Sequence, residues 1–322
     1  MESRGQMFIG IDIGGTNIKY GLVSADGTVV SKGIMPTRYE PKDLLADLVG
    51  LVKAYQADSS QQILGVGISA PGTIKADGLM LTAGAIKPMY GVNLKQALEA
   101  RIELPVNVIN DGNAVAIAEH WLGNAIGVAN YICVVLGTGM GGGIVINHQL
   151  YSGAHGMAGE FGYMVTQNLP KDPEAGIEPH SLNFTATVIS GICTAYNEAL
   201  LASGTPDVEV TMDAREIMDR ASMGDQIARE VLDRFYENIS VGLLNLVSFF
   251  DPEVVIIGGG ISANDEFIRE LGLAFEKVQS RHDSVAFLMG KTIAGIKPAK
   301  LTNDAGLLGA VYQLQTELGL LK

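Results

Sequence analysis

The chain has 322 residues, a length that suits two domains better than one. Hydrophobic residues make up 47% and charged residues 18%, which supplies ample core and excludes wholesale disorder. The formal net charge is −13 and no Lys/Arg-rich block occurs, so neither nucleic acid nor a membrane surface is expected as a partner.

Residues 7–13 form an apolar run broken by one carboxylate, Asp12, and read as a buried strand, with 18–23 as the returning strand. Between them Gly14-Gly15-Thr16-Asn17 makes a sharp corner whose backbone N–H groups can approach a ligand. Such a concave row of amides, with Thr16 and Lys19 beside it, suits phosphate oxygens. A carboxylate next to bound phosphates points to magnesium, so Asp12 is expected to hold that ion, directly or through water. Taken alone, the stretch is equally an ordinary hairpin. Asp26-Gly27 then turns the chain into a third strand at 28–31.

Residues 41–57 place Leu44, Leu45, Leu48, Leu51 and Val52 on one helical face. A buried strand at 63–68 runs into Ser69-Ala70-Pro71-Gly72-Thr73, residues 78–84 are irregular, and 92–101 form a short helix. The strand at 105–109 ends in Asn110-Asp111-Gly112-Asn113, with a helix at 114–122 directly behind it.

The second half repeats the order of the first. An apolar strand at 131–136 enters Gly137-Thr138-Gly139-Met140-Gly141-Gly142-Gly143, residues 144–146 lead back out, and Asn147-His148 turns into a third strand from 149. The repeat predicts an internal duplication with two phosphate-gripping hairpins. A long loop at 152–164, an exposed segment at 168–179 and helices at 182–201, 213–223 and 226–250 follow. Residues 254–257 form a core strand that runs into Gly258-Gly259-Gly260. A helix from 264, a final strand from 293 and a closing helix at 304–320 complete an α/β pattern. The expected domains are 1–122, completed by 304–322, and 123–303.

No apolar run is long enough to span a membrane, and residues 1–6 hold no hydrophobic region of signal-peptide length, so a cytoplasmic protein is expected. Cys133 and Cys193 read as reduced structural thiols.

Asn110-Asp111 lies at the C-terminal end of a strand, where ligands gather in α/β sheets. A carboxylate there can take the proton of a hydroxyl that attacks a phosphate. Asn-Asp-Gly-Asn is also an ordinary turn and helix cap, and only the two phosphate loops tip the reading toward catalysis. Glu160, in a glycine-rich loop with His155 and Tyr163, suits hydrogen bonding to sugar hydroxyls. Gly137, Gly139 and Gly142 satisfy G-x-G-x-x-G, yet they lead into a strand and not a helix, so an NAD-dependent dehydrogenase is not expected. A non-catalytic, sugar-sensing regulator is not expected either, because it would place a DNA-binding domain before the first hairpin and only six residues precede Met7.

Together these motifs resemble the ROK family of sugar kinases, within the two-domain actin-like ATPase (ribonuclease H-like) fold, along nearly the whole chain from Ile9 to Ala310. The resemblance implies that Asp12 to Thr16 and Gly137 to Gly143 hold the phosphates of ATP and that Gly258, Gly259 and Gly260 contact adenosine. It places Asp111 on the catalytic base and Asn110 and Glu160 on sugar ligands, with Gly72 and Gly84 lining the sugar pocket. Family members with structural zinc carry a histidine and a C-x-C-G-x-x-G-C cluster after the glutamate. Here Tyr163 replaces the histidine and no cysteine lies between Cys133 and Cys193, so zinc is not expected. Asn183 stands where a second sugar-binding glutamate is expected, and the chain resembles the zinc-free branch of glucokinases and β-glucoside kinases. The resemblance implies a magnesium-dependent homodimer that phosphorylates a hexose hydroxyl, O6 of glucose or of a β-glucoside. N-acetylmannosamine, N-acetylglucosamine and fructose are the alternative substrates.

Overall fold

The structure is a computed structural model that describes residues 5–58, 62–204 and 209–321; residues 1–4 of the polar leader and Lys322 of the expected closing segment lie outside them. In chain order the first half contains β1 (Gln6–Ile13), β2 (Asn17–Ser24), β3 (Val29–Pro36), α1 (Pro41–Asp58), β4 (Gln62–Ala70), α2 (Leu94–Ile102), β5 (Val106–Asn110) and α3 (Asp111–Leu122). The second half opens with β6 (Tyr131–Leu136), β7 (Met140–Ile146) and β8 (Gln149–Leu150). It continues with α4 (Leu182–Thr185), a π-helical stretch (Val188–Thr194), α5 (Ala195–Ala202), α6 (Ala214–Ser222) and α7 (Gln226–Phe250). The last elements are β9 (Val254–Gly258), α8 (Asp265–Ser280), α9 (Asp283–Leu288), β10 (Gly295–Pro298) and α10 (Ala305–Glu317).

The strands form two five-stranded sheets, ordered β3-β2-β1-β4-β5 and β10-β9-β6-β7-β8. Strand for strand, β6 to β10 take the places of β1 to β5, which is the duplication visible in the sequence. β1 to β3 pair antiparallel, while β4 and β5 add in parallel. In the second sheet β9 and β10 add in parallel to β6, and β7 pairs antiparallel with β8.

The chain divides into two compact units, one of residues 1–129, 142–159 and 300–322, the other of residues 130–141 and 160–299. Residues 142–159, expected in the second domain, pack with the first. A Cβ on Gly143 would lie 2.5 Å from the Ala116 methyl of α3, so the strand and the helix touch where the glycine leaves room.

In the first unit, alternation along β1 sends Met7, Ile9, Ile11 and Ile13 into one core with Leu44, Leu48 and Val52 of α1 and Leu94 and Leu98 of α2. Phe8 points the other way and packs with Val23 and with Leu307 and Val311 of α10. Both faces of the sheet are therefore covered. On the α10 face, a Cβ at Gly67 would lie 2.4 Å from the Ala310 carbonyl oxygen, so the glycine sets how closely the helix sits. α10 then crosses α3 at Gly309, where a Cβ would meet the Ala114 carbonyl oxygen at 1.8 Å.

Two differences from expectation bear on the glycine turns. α3 starts at Asp111, three residues ahead of 114, because Asn110 acts as its cap, accepting from Asn113 N. The helix expected at 182–201 is broken. Thr187 is extended (φ −106°, ψ 158°), caps the π-helical stretch through Ser190 N, and leaves Val188 N to bond Gly137 O.

Gly309→Ala should destabilise the protein by about 3 kcal/mol in urea unfolding, because backbone oxygen cannot yield to the new methyl group. Gly50→Ala, on an open face of α1, should instead stabilise by about 0.5–1 kcal/mol. Equal effects at the two positions would contradict the packing described.

Candidate active site

The first hairpin brings Asp12, at the end of β1, beside Ser69, at the end of β4. Ser69 Oγ donates to Asp12 Oδ1 at 2.5 Å, and Lys19 Nζ lies 3.9 Å from Oδ2. Lys19 also reaches Asn303 Oδ1 at 3.4 Å. A Cβ on Gly306, in the first turn of α10, would meet Asp12 Oδ1 at 2.6 Å, so a helix N-terminus is seated on the carboxylate. Burial pushes the Asp12 pKa up, outweighing the Ser69 hydrogen bond and the Lys19 charge.

Past Asp12 the corner closes through a Gly14 N to Asn17 O bond of 3.0 Å. Among the described residues, the N–H groups of Gly15 and Thr16 have no protein acceptor.

Asn110 ends β5. Its amide nitrogen donates to Gly72 O at 2.9 Å while its oxygen caps α3. Asp111, exposed in the first turn of α3, accepts from Gly112 N at 2.8 Å. A Cβ on Gly112 would sit 2.6 Å from Gly142 N, so the helix start that carries Asp111 rests directly on Gly142. Gly159, the residue before Glu160, is equally close to Gly142 O, at 2.4 Å from its would-be Cβ. Gly72 (φ +97°) and Gly84 (φ +53°) lie on facing loops, with the would-be Cβ of Gly72 2.4 Å from Thr82 O and that of Gly84 3.1 Å from Pro71. Gly156 packs on Ile74 O, which ties the His155 loop to this wall, and His155 itself is exposed.

In the second unit, Gly137, Gly139 and Gly141 leave open space beside the turn: none has a positive φ, and a Cβ would meet nothing closer than 3.8 Å. Gly137 N bonds Gly139 O, and the N–H groups of Thr138 and Gly139 have no protein acceptor among the described residues.

Asn183, expected where a second sugar-binding glutamate stands, lies against the second glycine turn. Its Oδ1 accepts from Met140 N at 2.9 Å, and a Cβ on Gly162 would lie 2.1 Å from the same oxygen. It therefore clamps the glycine turn to the short helix after Glu160. Tyr163, in that helix, is 52% exposed. Burial pushes the Glu160 pKa up.

Gly258 ends β9, Gly259 turns with φ +90° against Leu136 O, and Gly260 is open. Beside Gly260 lies a pocket of about 680 Å³ walled by Val188, Met212, Arg215, Met218, Ile261 and Asn264. Sequence reasoning missed all of these but Gly260, because they come from separate elements and share no motif.

Among the described residues no group of three or more His, Cys, Asp or Glu side chains could hold a metal ion. Magnesium takes as few as one protein carboxylate, with waters and substrate phosphates completing its shell, and Asp12 is a carboxylate beside the first glycine turn.

Two sheets of one strand order, each opened by a glycine-turn hairpin, place the chain in the actin-like ATPase fold. The ROK family model matches residues 8–317, and the chain belongs to that family. It is 35% identical over 308 residues to a β-glucoside kinase of Listeria monocytogenes, covering 95% of this chain and 96% of the relative. A Streptomyces griseus ROK glucokinase, solved with glucose and AMPPNP, is 29% identical with a TM-score of 0.76 and covers 95% of this chain and 98% of that one. A Streptococcus pneumoniae ROK protein, solved with sucrose, is 30% identical with a TM-score of 0.81 and covers 98% of this chain and 100% of that one.

The raised Glu160 pKa has a measurable consequence. The folded chain holds this proton more tightly than the unfolded chain, so Glu160 favours the fold at acid pH. That contribution is lost as pH rises through the raised value. Glu160→Gln should therefore melt above the parent at neutral pH, with the gain vanishing as pH falls below the ordinary 4.5. A gain that persists in acid would point to another cause.

Proposed function

We propose that this chain is an ATP- and magnesium-dependent kinase that moves the γ-phosphoryl group of ATP to a hydroxyl of a gluco-configured sugar, with O6 of glucose or of a β-glucoside as acceptor. The observation that carries the reading is the seat of Asp111: the helix start that bears it lies on Gly142 of the second glycine loop. A base held beside a phosphate cradle is what in-line transfer to a hydroxyl requires.

Asp111 takes the proton of the attacking hydroxyl. Asn110 and Glu160 hydrogen-bond the sugar, and Gly72, Gly84 and His155 belong to the wall beside it. Gly14 to Asn17 and Lys19, together with Gly137 to Gly142, hold the phosphates; Gly258 to Gly260 and the adjoining pocket take adenosine. Asp12 would hold magnesium, whose charge offsets that of the phosphates. We place the enzyme in the cytoplasm and as a homodimer, in keeping with the family.

Substrate choice rests on the relatives and on Tyr163. The similar proteins include one named for β-glucosides, one solved with glucose and one solved with the disaccharide sucrose. A half-exposed aromatic face near Glu160 can stack on a second sugar ring, which favours room beyond O1. N-acetylmannosamine, N-acetylglucosamine and fructose remain within reach of the same family.

The test is ATP consumption with glucose, mannose, fructose, N-acetylmannosamine, N-acetylglucosamine, cellobiose and gentiobiose. Glucose or one of the β-glucosides should lead; strict preference for an N-acetylhexosamine would overturn the substrate and leave the chemistry standing. Asp111→Asn should lower turnover on the best sugar at least about 100-fold while sugar still binds. Near-normal turnover would return Asp111 to the role of a helix-turn residue.

A further inference from the structure

The first phosphate turn is held from one side by two residues of one segment, Thr37 and Tyr39, through three hydrogen bonds. Thr37 Oγ1 donates to Gly14 O at 2.7 Å, Tyr39 Oη donates to Gly15 O at 2.8 Å, and Thr37 N donates to Thr16 O at 2.9 Å. Every carbonyl oxygen of the corner from Gly14 to Thr16 is thus taken up by the segment that leaves β3.

A peptide group is planar and trans, so its C=O and the following N–H point in opposite directions. Fixing Gly14 O fixes the direction of Gly15 N–H, and fixing Gly15 O fixes Thr16 N–H. These are the two amides with no protein acceptor among the described residues. The bonds therefore aim them away from Thr37 and Tyr39 and keep them aimed before a ligand arrives. Donors that need no reorganisation bind an anion more tightly than donors that must first be ordered.

The two side chains are unlike in every other respect. Thr37 is buried, whereas Tyr39 is 49% exposed, so packing does not account for the tyrosine hydroxyl. Between them Arg38 Nε bonds Asp47 of α1 at 3.2 Å, which anchors the segment to a helix.

We propose that Thr37 and Tyr39 are positioning residues for nucleotide phosphate, acting through the peptide planes of Gly14 and Gly15. The proposal rests on the kinase reading and adds to it residues that touch neither ATP nor sugar. Losing the Tyr39 hydroxyl frees one peptide plane to rotate and weakens phosphate binding without touching the sugar side.

The experiment is calorimetric titration of the full chain and its variants with AMPPNP and magnesium, alongside KM for sugar and thermal melting. Tyr39→Phe should raise the nucleotide Kd about fivefold, leave the sugar KM within about twofold and leave the melting temperature unchanged. Thr37→Val should weaken nucleotide binding in the same way, and Thr37→Ser, which keeps the hydroxyl, should restore it. Unchanged nucleotide Kd in Tyr39→Phe, with binding by the parent, would overturn the proposal alone. A sugar KM that rises in step with the nucleotide Kd would also overturn it, since that is the mark of a general structural role. A parent that binds no nucleotide would overturn both the proposal and the kinase reading.

Discussion

Everything in this structure depends on two glycine turns that leave backbone N–H groups without a protein partner. Gly15 is half-buried and Thr16, Thr138 and Gly139 are exposed, so water can meet these donors until a ligand displaces it. Here the arrangement occurs twice, at Gly15 and Thr16 and again at Thr138 and Gly139. In each turn the carbonyl side is fixed from outside: Thr37 and Tyr39 hold the first, and Val188 N holds Gly137 O in the second. The duplication of the sheets supplies two copies of one strand–turn–strand device.

α3 carries the proposed base. Its N-terminus carries Asp111 and rests on Gly142, while its C-terminal end carries Glu119, a fully buried carboxylate. Glu119 accepts from Asn124 N at 2.8 Å and, through its other oxygen, from Lys300 N at 2.9 Å and Leu301 N at 2.8 Å. Three backbone donors offset the cost of burying the charge. One helix thus fixes the position of Asp111, the proposed base, at one end and at the other binds the backbone where the chain re-enters the first unit at Lys300. Gly309, which lets α10 cross it closely, belongs to the same framework.

Much of this was legible in the sequence because the signals are local. A strand, a glycine corner and a returning strand need no tertiary information, and Asn110-Asp111-Gly112-Asn113 announces a strand end and a helix start together. What escaped the sequence depends on contacts between distant segments. The break at Thr187 exists because Val188 N turns to Gly137 O, some fifty residues earlier. Asn183 reads by position as a sugar ligand, and the bond that its oxygen accepts from Met140 N leaves no trace in the sequence. Thr37 and Tyr39 carry no motif at all, since hydroxyl donors to a remote turn leave no periodic trace. The pocket beside Gly260 is assembled from side chains of three separate stretches.

The central claim is that the two glycine turns hold the phosphates of ATP through unpaired backbone amides. Hydrogen–deuterium exchange of the peptides containing Gly15 and Thr16 and those containing Thr138 and Gly139, with and without magnesium and AMPPNP, tests it most directly. The account predicts slowed exchange in both peptides with nucleotide, and no such change with sugar alone. Unchanged exchange in both turns, under conditions where nucleotide is bound, would contradict it.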